Sequence, residues 1–168
     1  MDEQHQPWPL IFLRPDRTRF EVSIAAWQAM QGFIQHDSSA TEAGGVLLGR
    51  HLRDGSAIIV DAVTVPMVGD RRARMRFHRA QRHHQAAIDA AWATSEGTCT
   101  YLGEWHTQPE AIPTPSPVDR ADWHRRLLHD HYTEPLFFVI VGITAVRAWE
   151  GRQPDVIVQL AVVHAEHH

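Results

Sequence analysis

His106, Gln108, Ser116 and Asp119 follow one another in the pattern HxQx7SxxD, and a lone acid, Glu42, lies far upstream in TEAGGVLLGR. An ion that keeps one position open for water needs about three protein donors and a nearby carboxylate to take the water's proton. His106 and Asp119 are firm donors, and Gln108 is a weak third, standing where a second imidazole would complete a zinc site. Glu42 is the candidate base and Ser116 a hydroxyl able to donate to an oxyanion. With one cysteine, Cys99, there is neither an internal disulfide nor a cysteine cluster for metal.

Each residue also has a plainer explanation. SxxD is a capping-box-like signature, so Ser116 and Asp119 would serve a helix start equally well. A single strand histidine is more often a hydrogen-bonded core or surface group than a ligand, and Glu42 can be read as the polar start of a strand. Exchanging an imidazole nitrogen for an amide oxygen weakens zinc binding, by at least the roughly 10- to 100-fold that outer-shell changes cost. Three readings of Gln108 stay open: a variant that binds metal through its amide, a silent protein that keeps the fold to bind a partner, or a substitution that traps substrate.

The elements that must position these residues alternate along the chain. PLIFLRPD reads as an edge strand ending at Pro15, followed by a helix that Ser23 opens over SIAAWQAMQGFIQH. GGVLLGRHL and AIIVDAVTV flank DG and predict a hairpin, while RMRFHR alternates and would extend the sheet. A helix is expected from Arg79 to about Ser95, with Gly97 at its stop, and then a strand, TYLGEWHTQ, on which His106 and Gln108 share a face. After the proline-rich PEAIPTPSPVD, Ser116 and Pro117 look like the cap and first position of a helix that carries Asp119 in its first turn. LFFVIVGI, AVRAWEG and DVIVQLAVVH give three closing strands. The sum is an α+β fold, a mixed sheet with about three helices.

At 168 residues the chain fits one domain, 1–168, and its net charge of −4 gives no global reason to expect nucleic acid or an anionic membrane. No apolar run reaches the length of a membrane span and the polar start is not a signal peptide, so the expected location is the cytoplasm. All 16 basic residues are arginine and asparagine is also absent. GC-rich codon usage explains both; a protein working beside machinery that tags lysine amines would also gain from having none.

GEWHTQP with PTPSPVD, and the upstream EAGGVLLG, resemble the JAMM (JAB1/MPN/Mov34) metallopeptidase family, whose pattern is a Glu on the strand after the first helix and then HxHx7SxxD. The likeness covers most of the chain and is similar to the prokaryotic branch found beside ubiquitin-like conjugation systems. It implies a JAB1/MPN-like, cytidine-deaminase-like sandwich; Zn2+ at His106, Gln108 and Asp119; and Glu42 and Ser116 as catalytic groups. It further implies cleavage after the C-terminus of a bacterial ubiquitin-like protein, in deconjugation or precursor processing, with activity impaired by Gln108. The alternative is an inactive MPN-type module that binds a ubiquitin-like protein or scaffolds a complex. A peptidase trimming small sulfur-carrier proteins would share the chemistry.

The expected partners are the ubiquitin-like protein or its conjugates and E1/E2-like proteins of the same operon, with no membrane. The substrate-binding residues are not identifiable from the sequence. Addition of an extended tail to a sheet edge, for which the strand before Pro66 is a candidate, is the expected mode of capture. The Arg71 to Arg82 patch would either meet acidic groups on the partner or form a solvated face. Without interleaved aromatics it argues only weakly for nucleic acid.

Overall fold

The computed structural model describes residues 9–37, 39–129 and 134–163. In chain order the elements are β1 (Leu10–Leu13), β2 (Arg19–Val22), α1 (Ile24–Gln31), β3 (Gly44–His51), β4 (Ala57–Val63), β5 (Arg71–Ala73), β6 (Arg76–His78), α2 (Gln81–Thr94), β7 (Thr100–Thr107), α3 (Pro117–His129), β8 (Leu136–Val141), β9 (Val146–Gln153), β10 (Val156–Gln159) and β11 (Ala161–Val162). Nine strands form one mixed sheet in the order β10-β9-β8-β7-β3-β4-β2-β1-β11, with β2–β4 and β7–β8 parallel and the other pairs antiparallel. This is the expected α+β architecture.

The sheet curls until its two ends meet. Eight strand spacings of about 4.8 Å would separate the edges of a flat sheet by nearly 40 Å. Yet β10 and β11 lie on opposite edges with only Leu160 between them in the chain. Leu160 is buried and donates to Ala148 O, and Arg14, just past β1, donates from Nε to Glu150 Oε1 of β9 at 2.6 Å.

The main core fills this curl: Phe12, Phe20, Val22, Leu47, Val60, Leu102, Trp105 and Phe137, closed by Ala26 and Met30 of α1. On the other face Trp123 of α3 packs with Leu136, Phe138, Ile140 and Trp149. Successive β8 residues thus enter alternate cores, which is why LFFVIV is apolar throughout.

Several expectations need correction. The helix opened by Ser23 follows β2, a strand that the sequence reading did not mark, and it ends at Gln31. β1 is not an edge strand, because β11 pairs along its outer side. Arg76–His78 does not extend the main sheet; it pairs with Arg71–Ala73 in a separate hairpin. DVIVQLAVVH is not one strand but two, parted at Leu160. The strand before Pro66, β4, lies inside the sheet between β3 and β2 and offers no free edge along its paired length. The DG hairpin stands as expected, with Gly55 at φ 75°. Among the described residues no helix is long and apolar enough to cross a membrane.

Candidate active site

On β7 Trp105 enters the core while Glu104 and His106 on either side of it turn toward α3, and a bulge that skips Leu102 in the pairing with β3 lets Leu102 enter the same core three residues earlier. Because β7 and β8 run parallel, the chain must cross over between them, and α3 is the crossover. Its first turn therefore arrives beside the end of β7, where ligands gather in open parallel sheets. Two backbone glycines make room. Gly103 sits at φ 143°, where a Cβ would be driven into the Phe137 carbonyl of β8, and a Cβ on Gly44 would come within 2.6 Å of both Phe77 and the Trp105 carbonyl.

Ser116 and Asp119 cap α3 reciprocally: Asp119 N donates to Ser116 Oγ at 3.0 Å and Ser116 N to Asp119 Oδ2 at 2.8 Å. The same Oδ2 accepts from Gln108 Nε2 at 2.8 Å and stands 3.4 Å from His106 Nε2. The capping role and the convergence expected of these residues thus share one carboxylate. Burial opposes its ionisation, but His106 and the Ser116 donors prevail and hold Asp119 below the usual carboxylate range. Burial likewise opposes the charged imidazole of His106, yet Asp119, with Glu42 and Glu104 farther off, raises its pKa.

Glu42 is buried just ahead of β3 and lines the same cleft, of about 200 Å³, as His106, Ser116 and Asp119. Desolvation, reinforced by Asp119 and Glu110 and opposed by His106, pushes its carboxyl up to about 7. Its main chain is clamped by the β5–β6 hairpin. Glu42 N donates to Ala73 O at 2.6 Å, and Arg72 Nε donates to Glu42 O at 2.9 Å with its guanidinium over the Phe33 ring. On the other side Ala43 N donates to Thr107 Oγ1, which in turn donates to Gln35 Oε1. All five residues singled out from the sequence are brought together.

The GEWHTQP run sets Glu104 and Trp105 just ahead of His106, and Trp105 packs in the core, donating from Nε1 to Thr64 O. Glu104 is a cleft residue gripped by Arg79 and, at 2.7 Å, by Arg126. Asp70 accepts from Met67 N and Ala80 N, so one carboxylate cinches both ends of the hairpin. It also meets fully buried His84 at 2.8 Å, whose other nitrogen lies 2.7 Å from Thr64 Oγ1. His84 shares a helix face with Ala87, Ile88 and Ala91, a spacing visible in the sequence.

The donor set can be tested against a divalent cation. His106 Nε2 and Gln108 Oε1 are buried atoms with no hydrogen-bond partner, on two side chains that both face the Asp119 carboxylate. A cation would relieve both, so the residues fit one, with two firm donors and one weak. No cluster of three His, Cys, Asp or Glu placed to hold a metal occurs among the described residues, and the side chain that joins the His106–Asp119 pair is the Gln108 amide.

The profile of the family described as prokaryotic homologs of the JAB domain matches residues 25–152, a span running from α1 through β9 and containing every site residue named above. The chain belongs to this family. This prokaryotic JAB protein is 37% identical over 131 residues to a Pseudomonas aeruginosa protein named CD-NTase/cGAS isopeptidase, covering 78% of the chain and 82% of that relative. Relatives of the same name occur in Escherichia coli, at 33% identity over 86% of the chain and 88% of the relative, and in Vibrio cholerae, at 43% over 60% and 62%. Among solved structures, a Desulfitobacterium hafniense protein superimposes on the JAB chain with TM-score 0.57 over 84% of it and 88% of its own length; at 20% identity this speaks for the fold alone.

Proposed function

We propose that the protein is a metal-assisted isopeptidase or peptidase that cleaves after the C-terminus of a ubiquitin-like protein. The name carried by its relatives widens the substrate class to conjugates of a CD-NTase/cGAS-type protein. The observation that carries the reading is Glu42: a carboxyl buried at the cleft, with pKa about 7, sharing the cleft with His106 and Asp119. A group so poised both accepts and returns a proton near neutral pH.

His106, Asp119 and the Gln108 carbonyl oxygen would hold a zinc ion, which when bound supplies an acidified water and polarises the scissile carbonyl. Glu42 takes one proton as the water oxygen bonds to the carbonyl carbon, and delivers it to the departing amine as the C–N bond breaks. Ser116 Oγ accepts from Asp119 N, which leaves its own O–H to donate to the oxyanion. E1/E2-like proteins of the same conjugation system are the proposed companions in the cell.

One observation favours a second reading. Gln108 turns its N–H, not its carbonyl, onto Asp119, so the amide consumes the carboxylate instead of adding a donor. A silent module that binds the ubiquitin-like partner would keep such a bond. Zinc analysis together with cleavage of a ubiquitin-like fusion separates the two. About one zinc per chain and loss of cleavage in Glu42→Ala support the enzyme; absence of zinc with partner binding intact supports the module.

A further inference from the structure

From Arg71 to Arg79 the chain carries five arginines and no acid, within a protein of net charge −4. Two of the five turn inward: Arg72 onto the Glu42 carbonyl and Arg79 onto Glu104. Arg71 and Arg76 stay exposed on the hairpin, with no acidic partner among the described residues. His78 lines the catalytic cleft and also two recesses that adjoin it. One, of about 300 Å³, lies on the hairpin with Arg71 and Arg76; the other, of about 310 Å³, lies against α3 with Arg125 and His129. The three spaces form one basic track, passing the active centre.

We propose that this track seats an acidic segment of the protein whose bond is cleaved, so that carboxylates flanking the scissile bond set substrate preference. The proposal rests on the reading of the cleft as a site for a protein conjugate, and adds the chemistry of what lies beside the bond. A polypeptide fits better than a nucleic acid. Asp122 beside Arg125 and Glu104 between Arg79 and Arg126 interrupt the positive charge, which suits spaced carboxylates and repels a phosphate at every step. Neither recess is lined by Phe, Tyr or Trp, the larger rings on which successive bases stack.

The test uses the whole chain and a fluorescein-labelled twelve-residue peptide of alternating Glu and Ser, with a Gln/Ser peptide and a dT12 oligonucleotide as controls, by anisotropy at low salt. The acidic peptide is expected to bind at least about tenfold tighter than the Gln/Ser peptide, and to lose about tenfold or more in the triple variant Arg71→Glu, Arg76→Glu, Arg125→Glu. Should the triple variant fail to fold, each single Arg→Ser change is expected to weaken binding by about two- to threefold. Equal binding of both peptides, or binding indifferent to these substitutions, overturns the proposal. Tighter binding of dT12, lost in the same variants, overturns it in favour of nucleic acid. Because binding is read without cleavage, a catalytically silent protein would still pass or fail this test on its own terms.

Discussion

Gln108 donates its side-chain N–H to Asp119 Oδ2 across 2.8 Å, the same oxygen that faces His106 Nε2 at 3.4 Å. A neutral amide thereby takes up acceptor capacity that an ion would otherwise use, while its own carbonyl oxygen stays unpaired in the protein. His106, Gln108 and Asp119 converge on one point, and the amide is the weakest of the three proposed donors.

Gln108→His removes that competition and adds an imidazole donor. Zinc affinity is expected to rise by at least about tenfold, and cleavage of a ubiquitin-like fusion to rise with it. Metal analysis after dialysis against a weak chelator, with initial rates before and after the change, checks this. Unchanged values in both would mean that the amide already suffices or that the metal assignment is wrong.

Glu42 links activity to stability through pH. Its folded-state pKa of about 7 lies above the ordinary 4.5, so the folded protein holds the proton more tightly than the unfolded chain. Stability from this group is complete below pH 4.5 and is lost as pH rises through about 7, amounting to roughly 2–3 kcal/mol. In chelator-treated protein, Glu42→Gln is expected to flatten that loss, measured by urea unfolding at pH 5 and pH 8, and to reduce cleavage by about 100-fold or more. Parallel unfolding curves for the two proteins would contradict the burial cost assigned to Glu42.

Arg72 holds the main chain of the proposed base, by a bond to the Glu42 carbonyl. Arg72→Ala is expected to lower kcat severalfold with KM little changed, and to destabilise the fold by about 1 kcal/mol. Arg72→Lys would restore stability more than rate, because a lysine cannot bond the carbonyl while lying flat over Phe33. Equal effects on kcat and stability in both variants would reduce Arg72 to a packing role.

Gly103→Ala places a methyl against the Phe137 carbonyl in a conformation that alanine resists. A loss above about 3 kcal/mol is expected, with the β7–β8 pairing the first to fail. Amide exchange at Trp105 and His106 reports it.

What was legible in the sequence was local or periodic. The two-residue step from His106 to Gln108, the Ser116–Asp119 cap and the DG turn each follow from short-range rules, and each stands in the structure. The misses are tertiary. β2 is four residues long and finds its parallel partner β4 only across α1 and β3, so no local pattern announces it. DVIVQLAVVH is apolar on both sides of Gln159 and carries no turn residue near Leu160, and only the meeting of the two sheet edges divides it. The grip of Arg79 and Arg126 on Glu104 joins three distant elements, and Asp70 reads as an ordinary loop acid until both ends of the hairpin are seen to hang from it.

The pairing of β1 with β11 has a consequence for biosynthesis. Residues 10–13 leave the ribosome some 150 positions ahead of residues 161–162, the strand that shields their outer side. Until then a nascent chain presents a bare margin of sheet to its neighbours, so the curl closes only once residues 161–162 have been made, and a polypeptide stalled before Leu160 is the species most exposed to misassembly.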